Sequence, residues 1–139
     1  MIAKKILQSV LAALILVIST TLFANEADNV YTEDKLNITV TPQSPEFVIK
    51  LKSNPGTGYS WFLRDYNSNL ISPVKHTFQR PGQVMPGAPG YELWTFRIKP
   101  AGFLVPQQMV IRMIYARPWE GADSATQLVF HVTTLKPSS

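Results

Sequence analysis

Cysteine is absent from the 139-residue chain, and histidine occurs only twice, at His76 and His131. The first absence excludes disulfides, thiolate metal sites, a cysteine nucleophile and lipid attachment at an N-terminal cysteine. The second leaves no two imidazoles close in sequence for acid–base or metal chemistry. Charge is sparse too, with Asp, Glu, Lys and Arg making up 16% of the residues. The net charge of +4 rests on 13 basic against 9 acidic residues, and Lys4 and Lys5 sit at the extreme N-terminus. Without that pair the balance falls to +2, too little for an electrostatic nucleic-acid footprint. Apolar residues reach 45%, which suits a packed core and argues against a disordered chain. One domain fits this length.

Residues 1–24 have the layout of a secretory signal. Lys4 and Lys5 precede an unbroken apolar run, Val10 to Ile18, and Ser19, Thr20 and Thr21 follow before Ala24. The run is nine residues long, whereas a membrane-spanning helix needs roughly 20. Cleavage near Ala24 makes the protein exported, either periplasmic or secreted. The competing reading is an uncleaved anchor, since no charge occurs from Ile6 to Asn25. Membrane contact arises only in that case. The acidic, polar stretch that follows is expected to be a flexible segment over 25–35, and the folded domain to occupy 36–136. Export ordinarily favours disulfides; here core packing alone must hold the fold.

From Leu36 onward the hydrophobic period is two rather than 3.6. Leu36 to Val40 alternates. Phe47, Ile49 and Leu51 share one face, and Tyr59 to Leu63 is aromatic and apolar. Leu70 to Phe78 is weaker and interrupted by Pro73. Trp94, Phe96 and Ile98 lie on one side of the stretch Tyr91 to Lys99. Met109, Ile111, Met113 and Tyr115 alternate with Val110, Arg112 and Ile114; Leu128, Phe130 and Val132 alternate with Val129, His131 and Thr133. The 11 prolines fall mostly between these runs, where they stiffen loops without interrupting sheet hydrogen bonds. The pattern predicts an all-β protein, a seven-stranded immunoglobulin-like antiparallel β-sandwich, with an open barrel as the alternative.

Three connections stand out. Asn54-Pro55-Gly56-Thr57-Gly58-Tyr59 reads first as a turn between strands, with glycines available for positive φ. It is no phosphate cradle, because neither a Lys-Ser/Thr pair nor a helix follows it. Arg80 to Gly90 is a Pro/Gly-rich connection of a length that is commonly functional or mobile. Arg117-Pro118-Trp119-Glu120-Gly121 puts a tryptophan at a hairpin tip. That indole either folds back onto the domain edge or stays exposed for a partner. In a seven-strand sandwich the three loops emerge at the same end.

These motifs together resemble the chagasin family, protein inhibitors of papain-like cysteine peptidases, over roughly Leu36 to Lys136. The family's Asn-Pro-x-Thr-Gly-aromatic loop is matched by Asn54, Pro55, Gly56, Thr57, Gly58 and Tyr59. Its Gly-x-Gly-Gly element is matched by Gly87, Ala88, Pro89 and Gly90, with Pro89 replacing a glycine and excluding positive φ there. Its Arg-Pro-Trp loop is matched by Arg117, Pro118 and Trp119. The resemblance implies reversible, competitive inhibition, with these residues contacting a papain-like peptidase. The first loop would enter the cleft and the other two clamp its sides. Trp119 would pack on the enzyme, while Arg117 would either contact the enzyme or brace its own loop. No cofactor, metal, nucleic acid or small-molecule substrate is implied, and no catalytic residue.

Two other classes of function compete with this reading. As an enzyme the chain offers only scattered groups, among them Asp65, Glu92, Glu120 and Asp123, with His76 lacking a companion in sequence. A secreted adhesion or carbohydrate-binding module would use Tyr91, Trp94 and Trp119 as a stacking platform. That requires aromatics on one strand face, and Trp94 shares its side with core residues instead.

Overall fold

The computed structural model describes residues 29–82, 87–121, 123 and 125–137. The segment read as a signal, 1–24, lies outside them.

Among the described residues all seven expected strands form, and an eighth precedes them. In chain order they are β1 (Val30–Tyr31), β2 (Asn37–Val40), β3 (Glu46–Ser53), β4 (Ser60–Tyr66), β5 (Ile71–Gln79), β6 (Gly90–Ile98), β7 (Gln108–Ala116) and β8 (Thr126–Thr134). They make two four-stranded sheets, ordered β1-β3-β6-β5 and β2-β8-β7-β4. The inward residues are those the two-residue period selects. Phe47, Ile49 and Leu51 of β3, Phe96 and Ile98 of β6, Ile111 and Met113 of β7, and Phe130 and Val132 of β8 are all buried. The rings of Phe47 and Phe96 stack with centroids 5.7 Å apart, and Tyr31 meets Phe47 edge-on. Such pairs add to the free energy of area burial.

Two expectations need correction. Within the segment expected to be flexible a short strand forms: Val30 and Tyr31 lie beside Val48 and Ile49, and Tyr31 is buried. Nor are the sheets wholly antiparallel, because β1 runs parallel to β3 and β2 parallel to β8. The cause is a turn after Tyr31, closed by the Lys35 amide donating to the Thr32 carbonyl. There the chain reverses while it changes sheets, so each short strand joins an edge whose last strand already runs its way. Pro73, which lacks an N–H for the ladder, is tolerated because β5 is an edge strand; the register with β6 shifts between Pro73 and Lys75.

Strand direction positions the loops. β3, β5 and β7 all run toward one end of the sandwich, and β4, β6 and β8 run back from it. The three singled-out connections therefore leave the same end. With no disulfide in the chain, core burial carries much of this arrangement, so truncating the centre is costly. Phe47→Ala should lower the unfolding free energy by about 3–5 kcal/mol, a large share of a typical domain's total. Val74→Ala on the exposed face of β5 should change it by less than about 0.5 kcal/mol. Urea unfolding of both variants checks the contrast.

Candidate functional site: a braced three-loop end

The first loop is a single 3-10 turn, Pro55–Thr57. Proline suits its first position because φ is preset and no amide is left unpaired. The Thr57 and Gly58 amides donate to the carbonyls of Asn54 and Pro55 at 3.1 and 3.0 Å. The Thr57 hydroxyl donates to the Asn54 carbonyl at 2.6 Å, so it is used inside the turn rather than presented outward. Gly58 closes the turn in the left-handed region at φ 84°. Gly56 needs no such freedom, since the positive-φ glycines are Gly58 and Gly87.

Below this turn lies a tier of aromatic and polar contacts. The Asn54 amide donates to the Tyr115 hydroxyl at 3.0 Å. The Tyr115 ring is covered by Tyr59 on one contact and Trp61 on another, with centroids 5.2 and 5.0 Å away. The Trp61 indole N–H donates to the Lys52 carbonyl at 2.9 Å, and its backbone N–H to Glu92 Oε2 at 3.0 Å. Glu92 is a carboxylate only 4% exposed. Its other oxygen lies 2.9 Å from His76 Nε2, and the imidazole stacks on Trp94 with centroids 3.8 Å apart. His76 therefore has a companion 16 positions away in β6. Cross-strand register, which a one-dimensional pattern does not display, brings it there.

Arg117 braces its own end of the molecule. Its Nε donates to the Thr57 carbonyl at 3.0 Å, one terminal nitrogen pairs with Glu120 at 3.0 Å, and the guanidinium lies over the Tyr59 ring at 4.4 Å. It thus fastens the third loop to the first, and Glu120 is a partner rather than a free loop charge. Trp119 stays 72% exposed, yet its ring edge lies on Gly58, where an added Cβ would sit 2.5 Å from the indole. The middle loop joins through Gly87, whose carbonyl accepts from the Asn54 side-chain amide at 3.4 Å. Gly87 supplies that loop's left-handed residue at φ 81°. Ala88, Pro89 and Gly90 follow it into β6; residues 83–86 lie outside the described ones. The rival aromatic platform does not assemble. Tyr91 lies under Lys50 on the outer face, Trp94 packs inward against the core, and only Trp119 is at the tip.

Such an arrangement defines a class of protein: an immunoglobulin-like sandwich with a cluster of mutually braced loops at one end. More particularly, the chain belongs to the chagasin family, since the model of the chagasin family peptidase inhibitor I42 matches residues 41–134. It is a chagasin-family peptidase inhibitor. Among solved structures it is similar to the cysteine protease inhibitor EhICP2 from Entamoeba histolytica, with TM-score 0.62 and 21% identity over 77% of this chain and 95% of that one. Amebosin gives TM-score 0.58 and 21% identity over 76% and 96%. PbICP-C, solved in complex with falcipain-2, gives 0.56 and 19% over 77% and 90%. No curated protein sequence matches significantly.

Gly58 tests the seam between the first and third loops. Gly58→Ala places a Cβ both in an unfavoured backbone region and against the indole. It should lower stability by about 1–2 kcal/mol and move the Trp119 indole N–H resonance. Urea unfolding and a 15N-correlation spectrum read the two effects.

Proposed function

We propose that the protein is a reversible, competitive inhibitor of papain-like cysteine peptidases, blocking the cleft with its three-loop end. Family membership supports this reading, as do two structural neighbours, one described as a cysteine protease inhibitor and one bound to falcipain-2. The observation that carries it is the bracing of Asn54–Tyr59, Gly87–Gly90 and Arg117–Trp119 into one surface. Asn54, Pro55, Gly56, Thr57, Gly58 and Tyr59 enter the cleft, Gly87 to Gly90 flank one side, and Arg117, Pro118 and Trp119 the other.

The turn also explains why such a wedge survives in a hydrolytic site. A substrate is cut when an extended strand offers a free carbonyl to the nucleophile and to the oxyanion donors. Here the carbonyls of Asn54, Pro55 and Thr57 already accept from Thr57, Gly58 and Arg117. Attack on any of them has to seat the oxyanion donors around a hydrogen bond already made, in a segment that is folded rather than extended. Affinity comes from preorganisation: loops fixed before binding lose little conformational freedom on contact. A protease–inhibitor surface of about 1,600 Å² is within reach of three loops. The apolar N-terminal stretch supports export, with Asn25 as the first residue of the mature chain; N-terminal sequencing of protein recovered outside the cytoplasm checks this.

Trp119 is the exposed tryptophan of the three-loop end. Trp119→Ala should raise the inhibition constant against papain roughly thirty- to a thousandfold, as for a central interface anchor, with trypsin unaffected by either form. An unchanged constant would remove Trp119 as an anchor. Thr57→Trp should abolish inhibition, and its tolerance would mean that the wedge does not enter the cleft.

A further inference from the structure

Beside the wedge lies a cleft of ≈ 450 Å³ that the inhibitor reading does not use. Pro55 and Phe78 line it with apolar surface, Ser53 and Ser60 bring hydroxyls, and His76 and Glu92 complete it. Three features define its chemistry. Glu92 is the carboxylate of this lining, and no lysine or arginine faces it there. A carboxylate offers about four lone-pair positions, and the Trp61 amide and His76 take two of them. Ser53 is 3% exposed, and its hydroxyl oxygen, although buried, has no hydrogen-bond partner. A buried carboxylate with spare acceptor positions, next to an unpartnered hydroxyl, favours a cationic donor. The donor set is too small for a metal: no group of three His, Cys, Asp or Glu occurs among the described residues.

We propose that this cleft receives one basic side chain, a lysine or arginine on the rim of the partner peptidase, and thereby sets preference among target enzymes. The proposal rests on the inhibitor reading. Pro55, part of the wedge, is one wall of the cleft, so an enzyme gripping the wedge brings its own rim to the opening. Pro55 and Phe78 take the aliphatic stem. The half-exposed Phe78 ring in the lining is available for a cation–π contact with the charged head. The head donates to Glu92 and to the Ser53 hydroxyl.

Two variants and one probe test it. Glu92→Gln keeps the side chain's shape and an acceptor for the Trp61 amide but removes the charge. Phe78→Lys, at an exposed edge-strand position, tethers an ammonium at the mouth and needs no change in the interior. Against a panel of papain-like peptidases at pH 7.5, each should raise the inhibition constant of the most tightly bound enzyme by about thirtyfold. In 15N-correlation spectra of the wild-type protein, N-acetyl-lysine methylamide should shift the Ser53 and Ser60 amides, and N-acetyl-norleucine methylamide should not. If Glu92→Gln does not fold, Phe78→Lys decides. A protein that inhibits while Phe78→Lys leaves every constant unchanged, or that responds equally to both probes, overturns the cleft and leaves the inhibitor reading intact. A protein that inhibits no enzyme of the panel overturns both.

Discussion

The loop end depends on a buried carboxylate. Glu92, on β6 of one sheet, accepts from the backbone of Trp61 on β4 of the other and meets His76 on β5. A carboxylate removed from water is costly unless its oxygens find donors. The geometry that satisfies Glu92 is therefore enforced: β4, β5 and β6 must hold their relative positions where the chain is about to leave the sandwich. Trp61, fixed at its amide by Glu92 and at its indole by Lys52, supports the Tyr115 ring. Tyr115 in turn holds the first residue of the wedge. The chain of contacts runs from a charge in the interior to the tip of a loop.

This is how a protein without cystine stiffens loops. A disulfide acts mainly by constraining the unfolded chain; here the constraint is in the folded state, through stacked rings and hydrogen bonds to backbone carbonyls. Arg117 contributes most widely at the surface, because one guanidinium meets a carbonyl, a carboxylate and an aromatic face. A lysine lacks the planar fork needed for these simultaneous contacts. The individual energies at such partly exposed sites are small. Their effect is to narrow the conformations that three loops sample, which matters more for binding than for folding.

Much of the fold is legible in the sequence because half-buried strands carry their period openly. Phe47, Ile49 and Leu51 announce a face, and the prolines mark where strands end. Val30–Tyr31 is too short to show a period, and its pairing depends on a sheet edge supplied by residues far along the chain. Parallel pairing of β2 with β8 is likewise invisible locally, since alternation says which face is buried and not which neighbour lies alongside. At the loop end, the motifs locate Asn54 to Tyr59 and Arg117 to Trp119, and strand order brings them together. The His76–Glu92 contact escapes notice because His76 sits in the weakest strand and its partner is set by register. The hydroxyl of Thr57 is equally hard to place from the motif alone, because only the tight turn brings it an acceptor at Asn54.

In the proposed complex, resistance to cleavage and affinity fall to different atoms. The carbonyls of Asn54, Pro55 and Thr57 in the wedge accept from Thr57, Gly58 and Arg117, so these polar groups are committed to its own shape. What remains for a partner is mostly apolar and exposed: the indole of Trp119, the ring of Pro55, the surfaces of Gly56 and Pro89. Apolar contact is tolerant of sequence, because discrimination in a hydrophobic site is modest compared with discrimination by a hydrogen-bonding one. An end built only this way would accept related clefts almost alike. Selectivity then has to come from polar groups not already used in bracing. Beside the wedge those are the spare acceptor positions of Glu92 and the unpartnered hydroxyl of Ser53.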